Sequence, residues 1–394
     1  MKFKPSLVSM VLASLLLAAC GGSDPYIAGS TPTAGAPTTK ISFASVVSFG
    51  DSLSDAGSYA PATSLTGNGA APYFGGKFTN NSATSKVWVE NIATSLGLAL
   101  TPHEVGFAGQ SVKCPAAAAA PALAASCTAY GQGGSRVTDA NGIGKSGGAL
   151  TVPLKSQIAN HLARFGNFKG TELVLILGGS NDVFTQFGSF AAAAVQIQAD
   201  AAAGKITPDQ ANGLLLNAQL AAQGAMKLAA EELSLYIKTE ILAKGAKYVA
   251  IGTLPDTTGT PFGASLPANL QPVLTGLSEI FNLWLREGLG NQPVQIIDLF
   301  VFFRDARANP GKYGITNATV PACDAAKISA ITRGAVTDGS SLFCNSTPGV
   351  PFNGLRTGAD VNTWYFADGV HPTTAGHKVF SDEVLRQLRS FGWL

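Results

Sequence analysis

The amino-acid sequence predicts an α/β fold in which helices cover both faces of a mainly parallel β-sheet. Short apolar runs at residues 46–49, 173–177, 248–251 and 294–297 are predicted to be strands. Longer stretches with helical periodicity separate these runs, as expected when crossover helices join parallel strands. Functional side chains in such a sheet gather at the carboxyl ends of the strands.

The longest predicted helix covers residues 218–244. Its apolar side chains recur at helical spacing and are expected to face the core: Ala229, Leu233, Tyr236, Ile237 and Ile241. Before it, residues 191–213 are rich in alanine and contain Thr207 and Pro208, a pair typical of a helix start. This segment is interpreted either as a lid or as a helical hairpin without a catalytic role.

The N-terminus predicts export from the cytoplasm. Lys2 and Lys4 precede an apolar segment at residues 7–19 that is too short to span a membrane, so residues 1–19 are predicted to be a signal peptide. Cys20 follows small residues and resembles the lipobox cysteine of bacterial lipoproteins. That resemblance implies lipidation of Cys20 and attachment to the outer membrane of a bacterial cell envelope. The alternative is ordinary cleavage, which would leave a periplasmic or secreted protein.

Residues 20–40 are dominated by glycine, serine, threonine, proline and alanine, which predicts a flexible tether. Residues 41–394 are predicted to form one domain with insertions, because no second linker interrupts them. Without the signal peptide the chain carries 24 basic and 24 acidic residues, so nucleic acid is excluded as a partner. The oligomeric state is not indicated.

Ser52 is the candidate nucleophile. The β-rich run at residues 45–49 is followed by Gly50, Asp51 and Ser52, a pattern that predicts a strand, a turn and then a helix. A serine hydroxyl is a poor nucleophile alone. It needs a base, a group that orients the base, and donors for the oxyanion that forms.

Asp368 and His371 are the candidate orienting group and base. The aspartate can accept a hydrogen bond from one ring nitrogen, which leaves the other nitrogen free to take the serine proton. The chain contains four histidines. His103 and His161 lack such a carboxylate three residues before them, and His377 is predicted to lie on a helix surface.

Two glycine-containing segments are candidates for oxyanion binding. In residues 130–136, Gly133 and Gly134 allow close approach of a backbone N–H group to a ligand. The second segment follows the apolar run at residues 173–177 and contains Asn181, whose side-chain amide can donate a hydrogen bond.

These blocks, in this order, resemble the GDSL family of the SGNH hydrolase superfamily. The resemblance implies a three-layer α/β/α sandwich and a serine esterase or lipase. By position it assigns the triad to Ser52, Asp368 and His371, and the oxyanion donors to Ser52, Gly134 and Asn181. The family's second block often opens with asparagine, and here Ala129 stands there, which leaves Gly133 as a competitor of Gly134.

The implied reaction is hydrolysis of a carboxylic ester through an acyl-enzyme, with no metal or organic cofactor. One alternative is an acyltransferase that passes the acyl group to an alcohol. Another is a surface lipoprotein that binds glycans or lipids without catalysis. Short acyl esters, phospholipids and acetylated polysaccharides all fit as substrates, since the acyl pocket is formed by insertions.

Four cysteines remain after Cys20, and their even number fits an oxidising compartment. Three pairings exist. The local pairs Cys114 with Cys127 and Cys323 with Cys344 are favoured, because each closes one loop rich in small residues. Zinc binding is the weaker alternative, since the spacings lack Cys-x-x-Cys and no histidine lies near.

Overall fold

The structure is a computed structural model that describes residues 35–63, 74–348 and 352–394. The β-strands are β1 (Ser45–Gly50), β2 (Glu104–Phe107), β3 (Gln110–Lys113), β4 (Glu172–Leu177), β5 (Tyr248–Gly252) and β6 (Gln295–Ile297). The α-helices are α1 (Ala60–Thr63), α2 (Trp88–Ser95), α3 (Pro115–Ala119), α4 (Leu154–Phe165), α5 (Ser180–Ala202), α6 (Pro208–Tyr236), α7 (Pro261–Ser265), α8 (Gln271–Leu289), α9 (Leu299–Ala308), α10 (Ala325–Ile331) and α11 (Thr374–Ser390). The predicted signal peptide and Cys20 lie outside the described residues.

Four parallel strands form the central sheet in the order β1, β4, β5 and β6. Gly50 pairs with Leu177, so β1 and β4 end side by side. Strands β2 and β3 form a separate antiparallel pair. The four predicted strands are those of the central sheet, and no predicted bound differs from the observed one by more than one residue.

Apolar side chains alternate between the two faces of the sheet. Val46 and Leu175 belong to a core under α2, α9 and α11, whereas Val47 and Ile176 belong to a core under α4, α5, α6 and α8. This alternation follows from the two-residue period of a strand, and it needs a helical layer on each face. The predicted three-layer α/β/α architecture is therefore confirmed.

The long predicted helix begins ten residues earlier than expected, at the start of α6. Thr207 caps it by accepting a hydrogen bond from the Gln210 backbone at 3.2 Å, and Pro208 occupies its first turn. The helix continues through Tyr236 into a π-helical turn at Ile237–Leu242. Helices α5 and α6 pack against each other as a hairpin.

The last residues of the predicted tether lie against the domain. The Trp393 indole donates a hydrogen bond to the Pro37 carbonyl at 2.7 Å, and the Tyr248 hydroxyl donates to the Thr39 carbonyl at 3.4 Å. Residues that pack against the domain are thus observed before residue 41, its predicted start. Among the described helices, none has the length and apolar character needed to cross a membrane.

His377 was predicted to lie on a helix surface, and this prediction is wrong. Its side chain is fully buried in α11, where Nδ1 lies 3.3 Å from the Trp88 backbone nitrogen and Nε2 lies 3.2 Å from the Phe78 carbonyl. The prediction failed because the partners of this imidazole lie almost 300 residues earlier in the chain.

Both locally paired disulfides are formed in the structure. Cys114 is bonded to Cys127 ahead of the segment that carries Gly133 and Gly134. Cys323 is bonded to Cys344, and these two sulfurs pack with Ile328 and Ala367 in a small core of their own. No cysteine of the described chain is left for zinc.

Candidate active site

Ser52 lies at the carboxyl end of β1, where the strand passes into a 3₁₀ turn at Ser52–Ser54. Gly50 permits this turn, because a Cβ atom there would lie 2.2 Å from the Leu177 carbonyl oxygen. Asp51 caps the turn by accepting a hydrogen bond from the Leu53 backbone at 3.2 Å. The serine is thereby held at the rim of the sheet, as predicted from the sequence.

His371 and Asp368 approach Ser52 from the loop before α11. His371 Nε2 lies 2.9 Å from Ser52 Oγ, and His371 Nδ1 lies 2.8 Å from Asp368 Oδ2. The Phe78 ring packs against the imidazole with its centroid 4.7 Å away. The structure thus brings the three predicted triad residues into one hydrogen-bonded chain, although 319 positions separate Ser52 from His371.

The Asp368 carboxylate is surrounded by donors. It accepts hydrogen bonds from the backbone N–H groups of Ser341, Val370 and His371 at 2.9, 3.0 and 2.8 Å. Burial alone would raise the pKa of Asp368, but the charge and hydrogen bond of His371, with the other donors, hold this pKa well below its usual range. The group is therefore an ionised acceptor at neutral pH. Sequence reasoning missed Ser341, because nothing local marks it.

The glycine segment at residues 130–136 reaches the site by running along β1. The Tyr130 backbone N–H donates a hydrogen bond to the Ser48 carbonyl at 2.8 Å, and the Gln132 backbone N–H donates to the Gly50 carbonyl at 3.2 Å. This ladder extends the sheet by a short stretch of backbone. It ends beside the turn that carries Ser52.

Gly133 and Gly134 differ in what their backbone N–H groups contact. The Gly133 N–H donates to Asp55 Oδ2 at 2.9 Å, whereas the Gly134 N–H has no partner among the described residues. Gly134 also has a φ of +79°, and a Cβ atom there would lie 2.0 Å from the Ile143 carbonyl oxygen. Gly134, and not Gly133, therefore has a backbone N–H group available to bind a ligand. Its conformation and close neighbours leave no room for a side chain.

Asn181 enters the site at the first turn of α5, directly after β4. Its side chain is 7% exposed, and Nδ2 donates a hydrogen bond to the Ser135 carbonyl at 2.9 Å. An amide nitrogen carries two hydrogens, so one remains for a ligand in the cavity that Asn181 lines. The bond to Ser135 also ties α5 to the glycine segment.

Two further side chains hold the backbone of the site, and no local sequence pattern indicates their roles. Gln157 on α4 accepts from the Gly50 N–H at 2.9 Å and donates to the Gly50 carbonyl at 2.8 Å. Asp182 accepts from Arg136 Nε at 2.9 Å and from the Val137 N–H at 3.0 Å. These contacts join β1 and the glycine segment to the helical layer.

Asp51 places a second buried carboxyl group beside Ser52. Burial raises the pKa of Asp51 to about 6, although the Leu53 N–H and the nearby His371 oppose this shift. Its Oδ2 atom has no hydrogen-bond partner in the described part of the chain. A carboxyl group with this pKa changes charge close to neutral pH.

A cavity of about 370 Å³ opens at Ser52 and is lined mainly by apolar side chains. Its aromatic wall consists of Phe184, Phe262, Phe303, Tyr365 and Phe366. Ile143, from a loop with no predicted role, also lines it, whereas no residue of the described segment 191–213 does. The lid interpretation of that segment therefore gains no support. No cluster of metal-binding side chains occurs in the ranges that the structure describes.

The chain is similar in sequence to known proteins. The sequence matches the model of the GDSL-like Lipase/Acylhydrolase family over residues 46–384. Esterase EstA of Pseudomonas aeruginosa is 30% identical over 139 residues, which are 35% of this chain and 19% of that protein. An uncharacterized protein in the trpE-trpG intergenic region of Pseudomonas putida is 31% identical over 142 residues, 35% of this chain and 21% of that protein. The matches thus span about a fifth of the length of these relatives. Because the family match extends across most of the chain, from β1 into α11, this protein belongs to the GDSL-like lipase/acylhydrolase family.

Proposed function

We propose that this protein is a carboxylic ester hydrolase that works through an acyl-enzyme on Ser52. The observation that carries the proposal is the hydrogen-bonded chain from Ser52 through His371 to Asp368, at the mouth of an apolar cavity. Family membership and the esterase name of one relative support ester hydrolysis in general. The apolar cavity walls favour esters with a neutral, hydrophobic portion.

In the proposed first half-reaction, Ser52 Oγ attacks the ester carbonyl while His371 Nε2 takes the serine proton. The oxyanion is bound by the backbone N–H groups of Ser52 and Gly134 and by the Asn181 amide. His371 then returns the proton to the departing alcohol, and the acyl group remains on Ser52. Asp368 stabilises the imidazolium through Nδ1.

In the second half-reaction, His371 takes a proton from water as the water oxygen attacks the acyl-enzyme. The bond between the acyl carbon and Ser52 Oγ then breaks, His371 returns the proton to Ser52 Oγ, and the acid is released. The hydrogen bonds that fix Asp368 keep the imidazole in the orientation that both steps need. An added alcohol that replaced water in this step would make the protein an acyltransferase. Measuring whether the acyl group appears as free acid or as a new ester of the added alcohol distinguishes these two reactions.

The test is hydrolysis of p-nitrophenyl esters from acetate to palmitate by the wild-type protein and by Ser52→Ala. Ser180→Ala is the matched control, since Ser180 also lines the cavity but its hydroxyl has no partner in the described chain. We expect Ser52→Ala to lose activity by several orders of magnitude with the fold intact, and Ser180→Ala to retain it. Near-native activity of Ser52→Ala would overturn the proposal.

We further propose that the protein acts outside the cytoplasm and is anchored through a lipid on Cys20. The two disulfides support an oxidising compartment. Growth with an alkyne-tagged fatty acid should label the wild-type protein and leave Cys20→Ser unlabelled. Equal labelling of both proteins, or none of the wild type, would contradict the anchor.

A further inference from the structure

One region of the active-site cavity differs in character from its apolar walls, because charged side chains line it. There the cavity meets a second one, also of about 370 Å³, and the two share Asp256, Gly259, Phe303 and Arg307. Arg304 lines the second cavity. The lining of the cavity that opens at Ser52 thus includes charged side chains as well as apolar ones.

Asp256 adds no unpaired negative charge to the region where the two cavities meet. Its carboxylate accepts hydrogen bonds from Thr258 Oγ1 at 2.7 Å, from Thr275 Oγ1 at 3.1 Å and from Arg304 Nε at 2.7 Å. The carboxylate is 8% exposed, and its partner Arg304 lines the second cavity. The pair is therefore neutral, and the Asp256 carboxylate is engaged by donors within the protein.

Arg307 differs from Asp256 and Arg304 in its contacts. Among the charged side chains that line the two cavities in the described chain, it alone has no hydrogen bond and no ion pair. A Cβ atom on Gly259 would lie 3.0 Å from Arg307 Cδ and 3.4 Å from one guanidinium nitrogen, so the absent side chain at Gly259 leaves room for the arginine. The other acid of this region, Glu279, is exposed and interacts with Arg304 and Asp256.

We propose that Arg307 binds an anionic group at the end of the substrate whose ester carbonyl lies at Ser52. This inference rests on the proposed ester hydrolysis and narrows it to esters with an apolar body and a terminal carboxylate or similar anion. A guanidinium group pairs with a carboxylate through two parallel hydrogen bonds. An unpaired guanidinium group in a cavity wall is therefore suited to bind an anionic group of a ligand. The effect is expected mainly in KM, since the anion is bound alike in the ground state and the transition state.

The test compares two pairs of esters, each with and without a terminal carboxylate. Mono-p-nitrophenyl suberate and p-nitrophenyl octanoate carry the difference on the acyl side, and the acetate of ω-hydroxycaproic acid and hexyl acetate carry it on the alcohol side. For the wild-type protein we expect kcat/KM to favour one charged ester over its neutral partner by about fivefold at low salt, and less at high salt.

Three variants assign the preference to the proposed residue. Arg307→Gln should remove the preference for the charged ester, and Arg307→Lys should keep part of it. Arg389→Gln, which removes an exposed arginine on α11 outside both cavities, should leave it unchanged. A wild-type protein that favours both neutral esters, or an Arg307→Gln variant with the wild-type preference, would overturn the anion site alone. Lack of Ser52-dependent hydrolysis of all four esters would overturn the proposed function together with the site.

Discussion

At the residue scale, hydrogen bonds hold Asp368 and Asn181 in fixed positions near Ser52. Asp368 is held by three backbone donors besides the imidazole, so its carboxylate has one position relative to His371. Asn181 is fixed by one N–H group and keeps the other for a ligand. Both side chains are thus oriented before substrate arrives, which is what electrostatic stabilisation of a developing charge requires.

Replacing Asn181 by alanine should lower kcat by about 10²- to 10³-fold with little change in KM, because an oxyanion donor acts chiefly in the transition state. Steady-state kinetics on a p-nitrophenyl ester measure this, with Ser180→Ala as the control in the same cavity. A drop in kcat of less than about threefold would remove Asn181 from the oxyanion site.

Replacing Asp368 by asparagine should lower kcat by roughly 10³- to 10⁴-fold, because a neutral amide favours the wrong imidazole tautomer and leaves the imidazolium unstabilised. The shape of the side chain is nearly kept, so thermal unfolding should show a folded protein. Activity within tenfold of the wild type would mean that another group orients His371.

At the scale of elements, the loop closed by Cys323 and Cys344 contributes backbone contacts to the candidate active site. Ser341, inside this loop, donates its N–H to Asp368, and the Cys323 N–H donates to the Ala367 carbonyl at 2.9 Å. The disulfide therefore fixes backbone that holds the triad carboxylate. The loop of Cys114 and Cys127 makes no contact of this kind with the triad in the described structure.

Removing each disulfide by paired Cys→Ser substitution tests this difference. Both double variants should lose about 3 kcal/mol of unfolding free energy, as expected for loops of 13 and 21 residues. The Cys323/Cys344 variant should in addition lose about tenfold in kcat at a temperature where both variants remain folded. Equal kcat values for the two variants would show that the disulfide has no influence on Asp368.

At the scale of the whole molecule, three buried histidines outside the triad make stability depend on pH. Burial lowers the pKa of His103 and of His161 to about 4, and that of His377 to about 3. Each is neutral when folded but takes up a proton below about pH 6.5 when unfolded. Their stabilisation is fully present above that pH and is lost as the pH falls. Asp51 acts in the opposite direction, because its raised pKa favours the folded state at low pH and this contribution is lost as the pH rises through about 6.

We expect the three histidines to outweigh the buried carboxyl groups Asp51, Asp55 and Asp182, whose pKa values burial raises, so that acid destabilises the protein. The free energy of unfolding should therefore fall as the pH is lowered from 7 to 4.5, as measured by urea denaturation. His161→Phe, in a cluster with Phe49, Phe165 and Phe168, should make this fall smaller. A wild-type protein equally stable at pH 7 and pH 5 would contradict the prediction.

Sequence pattern predicts the strands of the sheet and helices on both of its faces, and it names Ser52, Asp368, His371 and Asn181 as candidate site residues. These features are local, because strand periodicity and motif spacing involve residues close together in the chain. The difference between Gly133 and Gly134 arises in the folded chain, where the distant carboxylate of Asp55 accepts a hydrogen bond from the Gly133 N–H. Folding also buries His377, brings the Ser341 N–H to Asp368, and places Arg307 in the lining of the cavity. Each of these depends on contacts between remote segments, and such contacts exist only once the chain has folded.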